Sequence, residues 1–461
     1  MRLFTRLVLP VVLLLSGAGP APAQGTKYEA ENGTLTGSVS VQTTVAGFSG
    51  TGYAGIFEND GDNAAVTFNL SAAGNYDLYI GYAGPYGDKK NILTINSNSI
   101  EASFPASPAF TETACGRVRL KEGSNTISIT KSWGWFLLDY FRIEPDTKPD
   151  VSVLLPYKLS TQAPHRETRM LWSYLMDSFT HRIHSGAMSL NAKEEAEWLF
   201  AQTGRYPALT GLDFMNHTRN YSWYDKSVVV NEARNWYNRN GLVAICWHWR
   251  DPSRATEEFY TSGTSFDISK ITETTSAEYQ AMLSDIDIIA GYLKQLNADK
   301  IPVLFRPLHE ASGRWFWWGA KGPEPCKALW RLMFDRLVNY HGLKNLIWVW
   351  ITDAAPDNLE WYPGDEYVDI LGADIYAADG DFSSQLLTYD AIKEKFGGRK
   401  LVTLSENGPV PDPERLMADG AHWSWFMPWY GSFIRDGIKN PLSHWQKVMS
   451  HDYVVTLDEI P

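Results

Sequence analysis

Cysteine is scarce: Cys115, Cys246 and Cys326 are the only three in 461 residues. At most one intramolecular disulfide can form, so a cystine framework is excluded as the source of stability. No Cys/His spacing suggests zinc. Cys246 lies inside an apolar run and reads as a buried free thiol. Positive charge is also short, with 41 Lys and Arg against 53 Asp and Glu and no basic run. An acidic surface repels phosphate backbones, which excludes nucleic acid as a partner. Long apolar runs are missing too. The run at residues 7–15 is broken by Pro10 and is too short to span a bilayer, so no membrane partner is expected.

That run is instead a targeting signal. Arg2 and Arg6 precede it, and Ala21-Pro22-Ala23 follows as an A-x-A cleavage site. Residues 1–23 are therefore expected to be a signal peptide on a secreted, extracellular protein. Four N-x-S/T sequons, at Asn32, Asn69, Asn216 and Asn220, are acceptors if the host glycosylates.

Two grammars follow. Residues 26–145 carry short alternating segments separated by Gly, Asn and Ser clusters and predict an all-β sandwich of the jelly-roll type. Residues 146–161, with Pro149 and Pro156, read as a linker. From 162 to 461, strand candidates at 170–174, 206–214, 242–249, 302–309, 345–351, 368–376, 400–406 and 423–429 alternate with helical stretches such as 276–296 and 324–340. Eight such pairs predict a (β/α)8 TIM barrel. A doubly wound sheet would want a Gly-rich phosphate loop after its first strand, and none is present.

Barrels place reactive groups at the C-terminal ends of strands. The fourth strand candidate ends Arg306-Pro307-Leu308-His309-Glu310 and runs into Trp315-Phe316-Trp317-Trp318-Gly319; the seventh ends Ser405-Glu406-Asn407-Gly408. Glu310 and Glu406, three strands apart, are expected to face each other across the mouth. Glycoside hydrolysis needs two carboxylates, about 5–5.5 Å apart for retention and roughly 6.5–9.5 Å for inversion. Apolar surroundings would keep the acid protonated, and Arg306 would keep the nucleophile ionised. Three aromatics in one loop cannot easily all be buried, so Trp315, Trp317 and Trp318 read as sugar-stacking residues. His248 is either a packing histidine or a donor to a sugar hydroxyl.

On these motifs residues 160–455 resemble glycoside hydrolase family 26, most of whose members are β-mannanases. The resemblance implies a retaining barrel enzyme with no cofactor for catalysis. It makes Glu310 the acid/base and Glu406 the nucleophile of an endo-β-1,4-mannanase acting on mannan, galactomannan or glucomannan. It further implies substrate contacts from His309, Trp315, Tyr376 and His248, with Trp429 as the platform on the last strand, where Trp423 and Trp425 compete. Ala311-Ser312 replaces the Met-Asn of some relatives, which bears on the leaving-group subsites. Residues 26–145 resemble carbohydrate-binding module family 35 through Tyr28-Glu29-Ala30-Glu31-Asn32-Gly33 and the segment from Trp133 to Phe141. That resemblance implies a structural calcium on Glu29, Glu31 and Asp139, hard oxygens suited to that ion. Trp133 and Trp135 are either core or the module's sugar site. The expected partner is a polysaccharide, met by a monomer. The rival readings are a β-glucanase or β-1,3-xylanase on the same scaffold, and a non-catalytic carbohydrate-binding protein; the presence of both glutamates argues against the last.

Overall fold

The computed structural model describes residues 25–148, 150–156, 158–189 and 193–461. The expected signal peptide lies outside the described residues. The chain forms two compact units.

The first unit is two antiparallel sheets. One contains Ser40–Gln42, Tyr53–Gly55, Leu137–Pro145, Gly74–Gly84 and Ser107–Leu120 in that order, with Thr26–Glu29 added beside Leu137–Pro145. The other contains Thr34–Thr36, Asn63–Leu70, Gly123–Trp133, Lys89–Ile95 and Asn98–Phe104. Strand Asn63–Leu70 shows why: Ala64, Val66 and Phe68 are buried while Thr67 and Asn69 are exposed, the period of two that a sheet with one wet face requires. Pairing of the first strand with the last sets Glu29 opposite Tyr140, next to Asp139.

The second unit is a ring of eight parallel strands: Ile183–Met188, Leu209–Asp213, Leu242–Trp247, Val303–Pro307, Leu346–Ile351, Ile370–Ile375, Leu401–Asn407 and Trp425–Phe426. The last pairs with the first, and a bridge from Asn407 to Pro428 completes the circle. Most strand residues are buried, as a packed interior under a coat of helices requires.

Two strand expectations are corrected. Residues 170–174 are helical, inside Arg166–Ser178. Burial there falls on Thr168, Leu171, Trp172 and Leu175, a helical stripe, while Met170 is exposed. The first strand is Ile183–Met188 instead. Residues 423–429 shrink to the two-residue strand Trp425–Phe426. The other six strands, and the fourth and seventh places of Glu310 and Glu406, stand as expected.

Candidate active site

After Val303–Pro307 the backbone turns sharply. Leu308 and Glu310 both take left-handed conformations, φ 51° and 53°, followed by Arg314 at 60°. Such residues cost on the order of 1–3 kcal/mol each and persist where surrounding contacts impose them. Here the His309 carbonyl accepts from Trp318 Nε1 at 2.8 Å, and the Glu310 carbonyl accepts from the Gly313 amide at 3.1 Å. Gly313 is required for another reason: a Cβ there would lie 1.9 Å from the Trp315 ring. That clearance lets Trp315 fold back, so its Nε1 donates to Glu310 Oε2 at 2.9 Å.

Glu406 projects from Leu401–Asn407 and is buried. Arg306 Nη2 donates to its Oε2 at 2.5 Å, and the Tyr376 hydroxyl donates to its Oε1. Arg306 Nη1 also donates to Asp374 Oδ2 at 2.7 Å. One carboxylate oxygen from each of Glu310, Asp374 and Glu406 lies within 4.8 Å of the others. Burial, and then the like charge of Glu406, push the Glu310 carboxyl up, while the Trp315 hydrogen bond holds it down. Asp374 is pushed well up by burial, against the pull of Arg306.

A second network borders these acids. Asp213 accepts from the His248 amide at 3.0 Å and from Nδ1 at 2.7 Å. A carboxylate only accepts, so His248 Nδ1 carries the proton. His248 Nε2 meets His309 Nε2 at 3.1 Å. Burial, followed by the electrostatic influence of the neighbouring His248 and Arg306, drives His309 well down, so it is neutral. The half-buried Trp429 ring packs against His248 at 5.4 Å between centroids.

Glu310, Glu406, Arg306, Tyr376, Trp315, His248 and Trp429 are thus brought to one mouth. Trp315 is 45% exposed, open to stacking. Trp318 is corrected: it and Trp317 are fully buried, because the loop folds under itself and Trp317 Nε1 donates to the Trp249 carbonyl at 2.6 Å. His309 is also corrected as a direct sugar contact. It is buried beneath the cleft with Nε2 engaged by His248. Trp423 and Trp425 are buried, which removes them as rivals of Trp429. Sequence reasoning missed Asp213 and Asp374. Each closes or nearly closes a barrel strand, the second and the sixth, and that position was the signal available.

In the sandwich, Ser49 and Thr51 gather the three other carboxylates. The Ser49 amide donates to both Asp139 oxygens at 3.0 Å, its hydroxyl to Glu29 Oε1 at 2.8 Å, and the Thr51 amide to Glu31 Oε1 at 2.8 Å. Gly50 lies between them at φ 65°, where a Cβ would sit 2.3 Å from Glu31 Oε1. Glu29 Oε2 and Glu31 Oε2 remain buried without a hydrogen-bond partner. Burial, with the charges of Glu29 and Glu31, pushes Asp139 up to about 6. The two orphaned anionic oxygens suit a hard cation such as calcium, although the three carboxylates do not close to within 4.8 Å of one another as the barrel trio does. Trp133 and Trp135 are 69% and 47% exposed, so they are surface residues and not core.

Residues 160–459 match glycosyl hydrolase family 26, and residues 26–146 match carbohydrate binding module family 35. The chain belongs to glycoside hydrolase family 26. Among curated relatives, mannan endo-1,4-beta-mannosidase of Thermothelomyces thermophilus is 39% identical over 96% of this chain and 92% of its own length. Mannan endo-1,4-beta-mannosidase B of a Piromyces species is 35% identical over 95% and 78%. The crystal structure of a two-module family 26 β-(1,4)-mannanase of Podospora anserina superposes with TM-score 0.64 at 37% identity, covering 95% of this chain and 98% of its own. Family membership makes the chain a glycoside hydrolase whose chemistry needs no cofactor. Among the described residues, no helix is long and apolar enough to cross a membrane.

Proposed function

We propose that this chain is a secreted endo-β-1,4-mannanase that hydrolyses mannan, galactomannan or glucomannan with retention. The carrying observation is the approach of one carboxylate oxygen of Glu310 to one of Glu406 within 4.8 Å, which supports the short spacing of a retaining enzyme over the wider spacing of an inverting one. Relatives named as mannosidases along most of the chain support the substrate class.

Glu406, held by Arg306 and Tyr376, attacks the anomeric carbon. Glu310, kept protonated by burial and by the charge of Glu406, gives its proton to the leaving oxygen. The glycosyl–enzyme ester is then opened by water, whose proton returns to Glu310. His248, oriented by Asp213 and backed by His309, is buried beside the acids with both ring nitrogens engaged and supports the floor of the site, while Trp315 and Trp429 supply stacking surfaces. A monomer is the state expected of this reading. In the sandwich, Glu29, Glu31 and Asp139 would hold a structural calcium, which would neutralise the charge these carboxylates bring together between the first and last strands. The exposed Trp133 and Trp135 are its sugar-binding surface, which would concentrate the barrel on polysaccharide. The basic, apolar and small-residue pattern of residues 1–23 supports export.

The test is the product profile from mannan and from a defined manno-oligosaccharide. Internal cleavage with β-configured products is expected, and activity on lichenan alone, or α-configured products, would overturn the reading. Glu406→Ala should lower turnover on the order of 10⁴-fold or more, and Glu310→Ala by roughly 10²–10⁴-fold.

A further inference from the structure

The loop between barrel strand Leu209–Asp213 and helix Val228–Tyr237 opens at the C-terminal end of its strand, on the same mouth as the two acids. It carries Trp223, which is 70% exposed, more than any other described tryptophan of the barrel. A single exposed aromatic is unremarkable by itself. This one is held rigidly. Trp223 sits in a turn closed by the Tyr224 amide on the Tyr221 carbonyl. The Tyr221 ring stacks beneath it at 5.0 Å and 23°, and Tyr224 meets its edge at 5.7 Å.

The loop itself is pinned from inside. The buried Arg219 donates to the carbonyls of Asp251 and Thr256 at 2.9 and 2.5 Å, tying it to the loop after the third strand. His217, also buried, closes the loop on the Lys226 carbonyl at 3.0 Å. Arg250 lies between the Tyr221 and Phe259 rings, at 6.0 and 5.8 Å, with its Nε and Nη2 on Asn216 Oδ1. Phe259 in turn packs on His248 at 5.2 Å. An unbroken line of ring faces and one guanidinium therefore joins Trp223 to the histidine beside the catalytic acids.

We infer that Trp223, backed by Tyr221, is a stacking platform for a β-1,4-linked mannose unit remote from the cleaved bond. The inference rests on the mannanase reading above. The apolar face of a pyranose suits an open indole. Because buried anchors already order the loop, binding need not spend conformational entropy to form the platform.

Kinetics on mannohexaose test it. In Trp223→Ala, KM should rise about tenfold, with the change carried by KM rather than kcat, as loss of uniform binding requires. Trp223→Tyr should recover most of the loss, and the thermal midpoint should stay put because the indole is exposed. An unchanged KM in Trp223→Ala, with the wild type cleaving mannohexaose, overturns the platform alone. A wild type that leaves mannohexaose uncut overturns the mannanase reading, and this inference with it.

Discussion

Each unit of this protein gathers three carboxylates, and the two clusters solve the same electrostatic problem differently. In the barrel, Asp374 and Glu406 share the guanidinium of Arg306, and Glu406 takes a hydroxyl from Tyr376. The counter-charge is part of the chain. In the sandwich, Asp139, Glu29 and Glu31 receive two backbone amides and two hydroxyls, and two buried oxygens are left over. Lys27, whose charge pulls Asp139 down, reaches only the Ser49 hydroxyl at 3.3 Å and lies over the Tyr140 ring. Burying a charge is costly unless it is paired. A cluster that must react benefits from a fixed internal cation whose hydrogen bonds aim its oxygens. A cluster that only fastens strands can borrow its cation from solvent.

Removing the internal cation should make the barrel cluster fail as an unfilled sandwich cluster would. Arg306→Met leaves two buried acids uncompensated, and should cost about 3–5 kcal/mol of barrel stability, read by denaturant unfolding. The loss should deepen as pH rises. Asp374, already pushed up by burial and then freed from the pull of Arg306, is stable in the interior only when protonated. A variant as stable as the parent at neutral pH would mean that Arg306 is not what compensates this cluster. Chelation probes the other side. With calcium at a hundredfold excess over its Kd, the sandwich gains about 2.7 kcal/mol, which a chelator should remove and added calcium restore. The effect should weaken toward pH 6, where protons compete for Asp139. A thermal midpoint of the sandwich indifferent to chelator and calcium would remove the cation from this cluster.

The barrel was legible where apolar runs were strong, as in Leu346–Ile351 and Leu401–Asn407. It was illegible at Ile183–Met188. There Ile183 is followed by the buried His184, whose Nδ1 meets the Ser424 carbonyl, and by Ser185, whose hydroxyl donates to the Val455 carbonyl, so the strand carries no apolar signature. The adjacent helix, with its clustered apolar residues, took the strand's place in the reading. The two glutamates could be read because each ends a strand beside a distinctive motif. Asp213 and Asp374 could not, since a lone acid at a strand end looks the same whether it orients a histidine or faces water. Trp318 was misread because residues between strands and helices are expected on the surface. This loop instead buries two indoles whose N–H groups find backbone carbonyls, which makes their burial tolerable.

Under the proposed mechanism, the finest distinction between the clusters is that one of the barrel's acids must keep a proton. Glu310 is raised by burial and by Glu406, and only its protonated form can serve the leaving oxygen. Activity should therefore fall as pH climbs through the raised pKa, placing the alkaline limb of kcat/KM above the ordinary carboxylate range. Trp315 opposes the shift, because its N–H favours the ionised form. Trp315→Phe keeps a stacking ring, removes that donor, and should move the alkaline limb upward. Because the indole also faces the sugar, KM will change as well, but a lost stacking contact alone does not displace a titration. The limb position of the free enzyme therefore separates the two roles. A limb that stays fixed, or moves down, would show that Trp315 does not set the proton affinity of Glu310.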